Sequence, residues 1–468
     1  MKDRFVIKLY IFVMICLLCC SCSFSKTVNI DINKIIQNII SYDNKFNSDF
    51  LEYINDNFGS KVLIDVNDSI NNNSYNDKLW HDITGKSYKV LLDEYNNVYE
   101  NNNKVKVINN NGDTVINFVG DISLADNFDI MPYYDSRNEG VYGILSKEVV
   151  DIMTSSDIMV ANNEFTISTR GTPLNKTYTF RADPKRLNIY KEMGVNLVSL
   201  ANNHIYDYDD EGLQRTIEIT KEKGLDVLGI KSTEEEKSYL VKEVDGVKIG
   251  FASYVFETAA VNGYKTINSN PVSINSENLI NTFNYNDLES FYNRIASEIS
   301  AMKAEGVEFI IASMHWGEEY NTYIEATQNE IAKKLNELGV DIILGGHPHV
   351  IQPYEIICNE SGHSTFVIYS QGNSLSNQSE QEIGVAESED GIMIKFTLEK
   401  KDGNVSLKEY KIIPTWVYKE EKGDGTYYHK IIPVEEALAN PEEYGINSDV
   451  YARLENSLNR TKSILGIQ

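Results

Sequence analysis

The chain has 468 residues, a formal net charge of −26 and a pI near 4.7, and 42% of its residues are hydrophobic. This length exceeds the usual limit for a single hydrophobic core, so we expect one large domain with appended segments. The acidic balance opposes binding to nucleic acid, whose phosphates are neutralised by Lys and Arg. We therefore expect no nucleic-acid partner.

Residues 1–22 have the pattern of a secretory signal. Basic residues precede an apolar stretch, residues 9–18, that is short for a membrane span, and the small-residue cluster CCSCS follows. A cysteine directly after such a stretch is typical of a bacterial lipoprotein signal, so Cys20 or Cys22 is the predicted lipidation site. A plain cleaved signal or an uncleaved anchor is the alternative. We expect an exported lipoprotein of the cell membrane that faces the outside or the periplasm.

Residues 23–112 are rich in Asn, Asp, Ser and Lys, with Asn runs at 71–73 and 101–103 and helically spaced apolar residues between them. Low complexity of this kind is typical of tethers or loosely packed helices. The segment is therefore predicted to be an Asn-rich tether or helical extension without a binding site.

From Val115 onward, apolar runs alternate with helical patterns. The runs VINFVGD, DIMVANNE, VNLVSLANNH, FIIASMHW and DIILGGHPH indicate buried strands. Helices are predicted at residues 143–154, 185–194, 212–224, 288–306 and 326–339, several of them ending at Gly. This alternation predicts an α/β domain.

After His349 the pattern becomes that of β-structure, with the runs VIQPYEII, STFVIYS and GIMIKFTLEKKDGNVSLKEYKIIP, in which KKDGN predicts a hairpin. Together the two halves predict a domain over residues 113–417 made of two packed mixed β-sheets flanked by helices, a four-layer αββα arrangement. Residues 418–468 are predicted to be a C-terminal extension that packs on the core through a helix at 450–465.

Five of the predicted strands end in side chains that bind metal ions. These side chains are Asp121, Glu164, Asn203 with His204, His315, and His347 with His349. Ligands of an α/β sheet bind outside the carboxyl ends of its strands, so we expect these side chains to meet at the edge of one sheet. Carboxylate, amide and imidazole groups are ligands for divalent cations. The sequence therefore predicts a cation site.

Each motif also has a local alternative. Asp121 could cap a turn, Asn203 and His204 could begin a helix, and His315 could be an inert core histidine. The His347-Pro348-His349 segment could be a polar surface loop, although residues at i and i+2 of an extended segment face the same way. The remaining histidines, His81, His363 and His429, follow no such run and are interpreted as surface or structural residues.

The order of these motifs resembles the CapA family of poly-γ-glutamate capsule synthesis proteins. The resemblance is carried by GDISL at 120–124, ANNE at 161–164, SLANNHIYDYDDEGL at 199–213, HWGEEY at 315–320 and GGHPHVIQPYE at 345–355. It implies the fold of calcineurin-like metallophosphoesterases and a role in capsule or cell-envelope polymer biosynthesis. The implied partners are subunits of a polymer synthase or export complex.

The resemblance also implies roles for individual residues. The metal ligands would be Asp121, Glu164, Asn203, His315, His347 and His349, holding one or two divalent ions chosen among Mn, Fe, Zn and Mg. Asn203 and His204 would be catalytic, with His204 as general acid. Arg181, in a family-like FRA segment, would contact an anionic substrate.

The motifs suggest further site residues. Asp207 and Asp209 are interpreted as orienting His204 through a hydrogen bond, with an Asp-rich helix start as the alternative. Glu319 is expected to line the cleft together with Tyr320, with a solvated turn at Glu318 and Glu319 as the alternative.

Two departures from the superfamily pattern keep two hypotheses open. Ser123 stands where the superfamily has a histidine ligand, and Glu164 stands where it has an aspartate. The first hypothesis is a metal-dependent hydrolase of the metallophosphoesterase type. The second is a non-catalytic scaffold or polymer-binding subunit of a synthase or export complex, with a degenerate metal site.

Overall fold

A computed structural model of the chain describes residues 32–43, 45–46, 48–92, 113–137, 139–174, 178–423 and 426–467. The predicted signal, with Cys20 and Cys22, lies outside the described residues. The chain divides into two compact units, Met1–Asn103 and Lys104–Gln468.

The described part of the first unit contains helices that share one hydrophobic core. The helices are α1 (Ile32–Tyr42), α2 (Ser48–Phe58), α3 (Ser60–Asn71) and α4 (Lys78–Thr84). Within α3 the buried residues Val62, Leu63, Val66 and Ile70 have the three- and four-residue spacing of one helix face. Trp80 of α4 is fully buried among them. The Asn-rich segment thus encloses a small apolar core of its own.

The second unit consists of alternating strands and helices. In chain order they are β1 (Thr114–Ile122), α5 (Ile130–Arg137), α6 (Lys147–Thr154), β2 (Ile158–Asn163), β3 (Thr166–Ile167), β4 (Arg181–Ala182), α7 (Leu187–Glu192), β5 (Leu197–Ser199), α8 (Asp209–Glu222), β6 (Asp226–Leu228), β7 (Tyr239–Val244), β8 (Val247–Phe256), β9 (Thr258–Val261), β10 (Tyr264–Ile267), β11 (Asn270–Pro271), β12 (Thr282–Phe283), α9 (Leu288–Ala304), β13 (Phe309–His315), α10 (Ala326–Leu338), β14 (Ile342–Gly346), β15 (Tyr354–Cys358), β16 (Ser364–Ile368), β17 (Asn373–Leu375), α11 (Glu380–Ile383), β18 (Asp390–Lys401), β19 (Asn404–Glu421), β20 (Tyr427–Pro433), α12 (Val434–Ala439) and α13 (Ser448–Leu465). Among all the helices described, none is both long and apolar enough to cross a membrane.

The strands form two large mixed sheets. The first has the order β20-β19-β18-β1-β2-β5-β6, with β17 beside β1, and the second has the order β12-β8-β13-β14-β16-β15, with β7 beside β8. In the first sheet β1, β2, β5 and β6 are parallel, whereas β18, β19 and β20 continue it antiparallel. In the second sheet β8, β13, β14 and β16 are parallel. The hairpin predicted at KKDGN joins β18 to β19, where Lys401 pairs with Asn404.

Three hydrophobic clusters divide the second unit into layers. One cluster lies between the sheets and joins Phe118 and Val160 of the first sheet to Phe251, Ile311 and Leu344 of the second. A second cluster packs helices α5 to α8 on the outer face of the first sheet, and a third packs α9 and α10 on the outer face of the second. Alternate residues of β13 face the inner and outer clusters, as the two-residue period of a strand requires. The predicted fold class, two packed mixed sheets flanked by helices, is therefore confirmed.

The prediction of a single sheet edge for all five ligand-bearing strands was wrong. β1, β2 and β5 belong to the first sheet, and β13 and β14 belong to the second. Their carboxyl ends still meet because the sheets pack face to face with these strands ending on the same side. The central strand β8 was not predicted, although Asp245-Gly246 between β7 and β8 is a hairpin signal.

The helix predicted to begin at residue 143 begins four residues later. Leu145 forms an isolated bridge with Ile431, which holds the chain extended there. Ser146 then caps the helix, because its side chain accepts a hydrogen bond from the Val149 N–H. Tertiary pairing therefore sets the start of this helix.

The residues after 417 contribute to the first sheet as well as packing on it. β19 runs across residue 418, β20 forms the edge of the sheet, and α12 and α13 pack on Trp416 and Tyr418. Helix α13 is attached through Asp390, a buried residue at the start of β18. Asp390 accepts hydrogen bonds from the Ser457 hydroxyl at 2.6 Å and from Nε and Nη2 of Arg460, both at 2.9 Å.

Replacing Arg460 should destabilise this attachment more than the loss of an ordinary surface charge. Burial raises the pKa of Asp390 to about 6, and Arg460 opposes that rise. We expect Arg460→Ala to lower the free energy of unfolding by about 3 kcal/mol, because a buried carboxylate loses its counter-charge. Urea unfolding measures this change.

The control is Arg215→Ala. The guanidinium of Arg215 pairs with Glu218 and Glu222 on an exposed helix face and should contribute less than about 1 kcal/mol. Equal shifts for both variants would contradict the role of Asp390.

Candidate metal centre

The predicted ligands converge where the carboxyl ends of the two sheets meet. Asp121 lies near the end of β1 and Glu164 directly follows β2, whereas Asn203 and His204 follow β5. From the second sheet, His315 ends β13, and His347 and His349 follow β14. Every one of these side chains is buried. The local alternatives for the individual motifs do not explain why all of them meet at one point.

Glu164 lies at the middle of the cluster. Its Oε1 atom is 3.4 Å from Nε2 of His315 and 3.6 Å from Nε2 of His349. Both carboxylate oxygens are buried, and neither has a hydrogen-bond partner among the described residues. Burial raises the pKa of Glu164 to about 8. A buried carboxylate without donors is costly, so this position suits a cation that contacts those oxygens.

The first group of candidate ligands consists of Glu164, His315 and His347, whose ligand atoms lie within 4.8 Å of one another. Oδ1 of Asn203 joins them, at 2.7 Å from Nε2 of His315. Burial lowers the pKa of His315 to about 4, and burial together with the neighbouring histidines holds the pKa of His347 well below its ordinary value. Both imidazoles are therefore neutral at pH 7, which is the form that binds metals.

The second group consists of Asp121, Glu164 and His349, so Glu164 is common to both groups. Asp121 already accepts two hydrogen bonds, one from Nδ2 of Asn162 at 2.7 Å and one from the N–H of His347 at 2.9 Å. Sequence reasoning singled out Glu164 in the ANNE segment and missed Asn162 two residues earlier. The sequence offered one indication of Asn162: it lies two residues before Glu164, and residues at i and i+2 of a strand face the same side.

Asn373 orients His349. Its Oδ1 atom lies 3.1 Å from Nδ1 of His349, while its Nδ2 donates to the carbonyl oxygens of His349 and Ser388. This arrangement places the proton of His349 on Nδ1, so Nε2, on the Glu164 side, keeps its lone pair for a metal. Ser123 is buried near β17, where its N–H donates to the Leu375 carbonyl, and it belongs to neither group.

Glycine is required at both positions before His347, at Gly346 because the two sheets approach closely and at Gly345 because the chain that follows the neighbouring strand β16 lies against it. A Cβ on Gly346 would lie 2.7 Å from Oδ1 of Asp121, and a Cβ on Gly345 would lie 1.8 Å from the carbonyl oxygen of Tyr369. The backbone beyond is strained, with φ of 94° at His347 and 55° at His349. Such angles in non-glycine residues cost roughly 1–3 kcal/mol each and are concentrated at functional sites.

His204 lies beside the ligand groups and has different partners. Its Nδ1 atom is 2.8 Å from Oδ2 of Asp207, and its ring packs on Phe180 at 4.3 Å between centroids. Burial disfavours the charged imidazole, but the hydrogen bond and charge of Asp207 outweigh it and raise the pKa of His204 above the ordinary value. The hydrogen bond predicted from Asp207 is confirmed. Asp209 accepts instead from the N–H groups of Thr172 and Glu211.

The two predicted substrate residues lie outside this buried cluster. Arg181 is half-buried and its guanidinium lies 4.5 Å from the centre of the Tyr208 ring. Glu319 is exposed, yet its charge contributes to raising the pKa of Glu164. The remaining histidines are elsewhere: His81 is on α4, His363 contacts the Val340 carbonyl at 2.9 Å, and His429 is buried in β20.

Fold and site together define a two-sheet α/β protein with a candidate divalent-metal centre at the carboxyl ends of its strands. The profile of the bacterial capsule synthesis protein family PGA_cap matches residues 115–378, and the chain belongs to this family. The resemblance inferred from the motifs is confirmed.

Individual relatives agree with this assignment. The chain is 27% identical over 227 residues to the capsule biosynthesis protein CapA of Bacillus anthracis, a match that covers 48% of this chain and 49% of that relative. It is 24% identical over 287 residues to the PGA biosynthesis protein CapA of Bacillus subtilis, covering 60% of this chain and 67% of the relative. The chain thus spans about half the length of the first relative.

A solved structure, the calcineurin-like phosphoesterase YfkN of Bacillus subtilis, is similar over 75% of this chain and 97% of that one, with 17% identity and a TM-score of 0.35.

Replacing Glu164 should separate metal binding from folding. We expect Glu164→Gln to lose bound divalent metal, because both ligand groups share this carboxylate. Without metal, the variant should be more stable than the parent, with a free energy of unfolding about 1–3 kcal/mol larger. The reason is that an unpaired buried carboxyl group is replaced by a neutral amide of similar size. Elemental analysis and urea unfolding measure the two effects. Glu318→Gln, at an exposed position of the loop after β13, is the control and should change neither. A Glu164→Gln protein with full metal content would contradict this interpretation.

Proposed function

We propose that this chain is an exported accessory protein of capsule polymer biosynthesis, acting on poly-γ-glutamate or another cell-envelope polymer. Membership of the capsule synthesis family supports the proposal, as do relatives named for capsule and PGA biosynthesis. The predicted signal and a lipid at Cys20 or Cys22 would hold the protein at the membrane, near the synthase or export subunits with which it would work.

The reaction that suits the site best is metal-dependent hydrolysis of a phosphate ester. Asp121, Glu164, Asn203, His315, His347 and His349 would hold one or two divalent ions of unknown identity. A bound divalent cation supplies Lewis acidity toward a phosphoryl group. His204, oriented by Asp207, would donate a proton to the leaving oxygen. Arg181 and Glu319 would contact the substrate at the mouth of the site.

The observation that carries this proposal is the unpaired carboxylate of Glu164 between His315 and His349. A structural ion pair or a satisfied core histidine would not leave both oxygens without donors. The donor set of imidazole, carboxylate and amide groups is also more typical of a Mn, Fe or Zn site than of a Mg site, whose ligands are usually all oxygen atoms.

A second candidate function is a non-catalytic scaffold that binds polymer and keeps a degenerate metal site. Two observations favour it. Ser123 replaces a metal ligand of the superfamily, and both oxygens of Asp121 already accept hydrogen bonds from Asn162 and His347. In this case a cation would serve to hold the carboxylates of the polymer or to stabilise the fold.

Phosphoester cleavage by the purified full-length chain tests the hydrolase. We expect the manganese-loaded chain to hydrolyse bis-p-nitrophenyl phosphate, and His315→Ala to reduce the rate by at least about 100-fold, since even groups that only support a ligand contribute 10–100-fold. His363→Ala, a half-buried histidine that bonds to the Val340 carbonyl, is the matched control and should keep the parental rate. Equal rates in the parent and in His315→Ala, or no activity in either, would exclude the phosphoesterase.

Polymer output in cells separates the two candidates. We expect Asp121→Ala to abolish capsule polymer while the protein remains folded and co-purifies with its partners, because catalysis needs the metal ligand and assembly does not. Unchanged polymer output with a metal-depleted variant would favour the scaffold.

A further inference from the structure

The loop after β13 carries a strained tyrosine at the metal centre. Tyr320 has φ of 63°, in the left-handed region that favours glycine. Its N–H donates to the carbonyl of Pro348 at 2.7 Å, between the strained His347 and His349. A non-glycine residue is retained in this conformation only where the surrounding structure enforces it. The surrounding fold therefore maintains a strained backbone conformation at Tyr320.

Hydrogen bonds to surrounding side chains hold the backbone of this loop in place. The N–H of Gly317 donates to the hydroxyl of Tyr285 at 2.9 Å, and the N–H of Glu318 donates to the Glu325 carboxylate at 2.8 Å. Nε2 of Gln352 donates to the carbonyls of Asn321 and Tyr323, at 2.8 and 3.0 Å. The side chain of Tyr320 thus extends from a backbone with little freedom, which is what a preorganised contact requires.

A chain of amides connects the hydroxyl of Tyr320 to His349. Nε2 of Gln378 donates to that hydroxyl at 3.2 Å, Nδ2 of Asn373 donates to Oε1 of Gln378 at 3.0 Å, and Oδ1 of Asn373 faces Nδ1 of His349 at 3.1 Å. Oε1 of Gln378 thus faces Asn373, and its amide nitrogen faces Tyr320. The hydroxyl then accepts from Gln378, and its own hydrogen has no acceptor among the residues that the structure describes.

The ring of Tyr320 lies beside one of the candidate ligands, and its hydroxyl stays protonated. The ring centroids of Tyr320 and His349 are 6.3 Å apart. Burial, followed by the charges of Glu319 and Glu164, raises the pKa of Tyr320 above its ordinary value, so the group is a donor at physiological pH. A phenol that lies next to a candidate cation site, and whose hydrogen has no acceptor among the described residues, suits an anionic oxygen of a ligand.

We propose that Tyr320 is a substrate-binding residue whose hydroxyl donates a hydrogen bond to a phosphoryl oxygen at the metal centre, with Gln378 as the residue that positions it. This inference rests on the proposed phosphoesterase function and adds to it a contact that does not involve the metal. The geometry requires only that the phosphoryl group lie next to His349, within reach of the phenol.

Binding of inorganic phosphate to the manganese-loaded full-length chain tests the proposal by titration calorimetry. We expect Tyr320→Phe, which keeps the ring and the backbone, to weaken phosphate binding by about 10- to 100-fold, the effect of losing a hydrogen bond to a charged group. Its metal content should equal that of the parent. Tyr323→Phe, an exposed tyrosine of the same loop, is the control and should bind phosphate like the parent.

A double-mutant cycle tests the role of Gln378. Gln378→Leu should weaken phosphate binding in the parent but not in a Tyr320→Phe background, because its effect passes through the hydroxyl. Additive losses would overturn the positioning role. Equal phosphate affinity in the parent and Tyr320→Phe would overturn the proposal while leaving the phosphoesterase intact, whereas a metal-loaded parent that binds no phosphate would overturn both.

Discussion

The site depends on one constraint, a buried carboxylate that no group in the described part of the chain neutralises. Glu164 Oε1 lies between His315 and His349, at 3.4 and 3.6 Å, and neither oxygen of this residue has a donor among the residues that the structure describes. The charge must be removed by a proton or balanced by a cation, and burial raises the pKa of this group to about 8. A proton and a metal ion therefore compete for the same oxygens. The neutral imidazoles of His315 and His347 favour the metal, since they offer lone pairs and no positive charge.

The two-sheet sandwich creates this constraint. Packing of Phe118 and Val160 against Ile311 and Leu344 aligns the two sheets so that both sets of parallel strands end on the same side. The close approach leaves no room for a Cβ on Gly346, which would contact Asp121 of the other sheet. As a consequence, the His347 N–H reaches Asp121, and residues of both sheets share one buried space from which water is largely excluded.

The strained backbone of the site depends on that same packing. His347, His349 and Tyr320 all have positive φ and lie on two loops that touch through the Pro348 carbonyl. At roughly 1–3 kcal/mol for each residue, this strain must be offset by the surrounding core. Asn373 and Gln378 then add a layer of hydrogen bonds that sets the orientation of His349 and Tyr320. The ligands are thus held in place by the fold before any ion or substrate arrives.

The sequence by itself determined the ligand-bearing strands, the fold class, the family and the types of side chain at the strand ends. Each of these follows from local patterns, such as the apolar runs before Asp121 and His315, or from motif order. Only the tertiary structure decided that the ligands come from two sheets, that Asn162 and Asn373 support Asp121 and His349, and that Gln378 contacts the hydroxyl of Tyr320. These contacts join residues far apart in the chain, 226 positions for His347 and Asp121 and 58 for Gln378 and Tyr320. No local periodicity encodes such pairs, because they exist only once hydrophobic packing has brought the strand ends together.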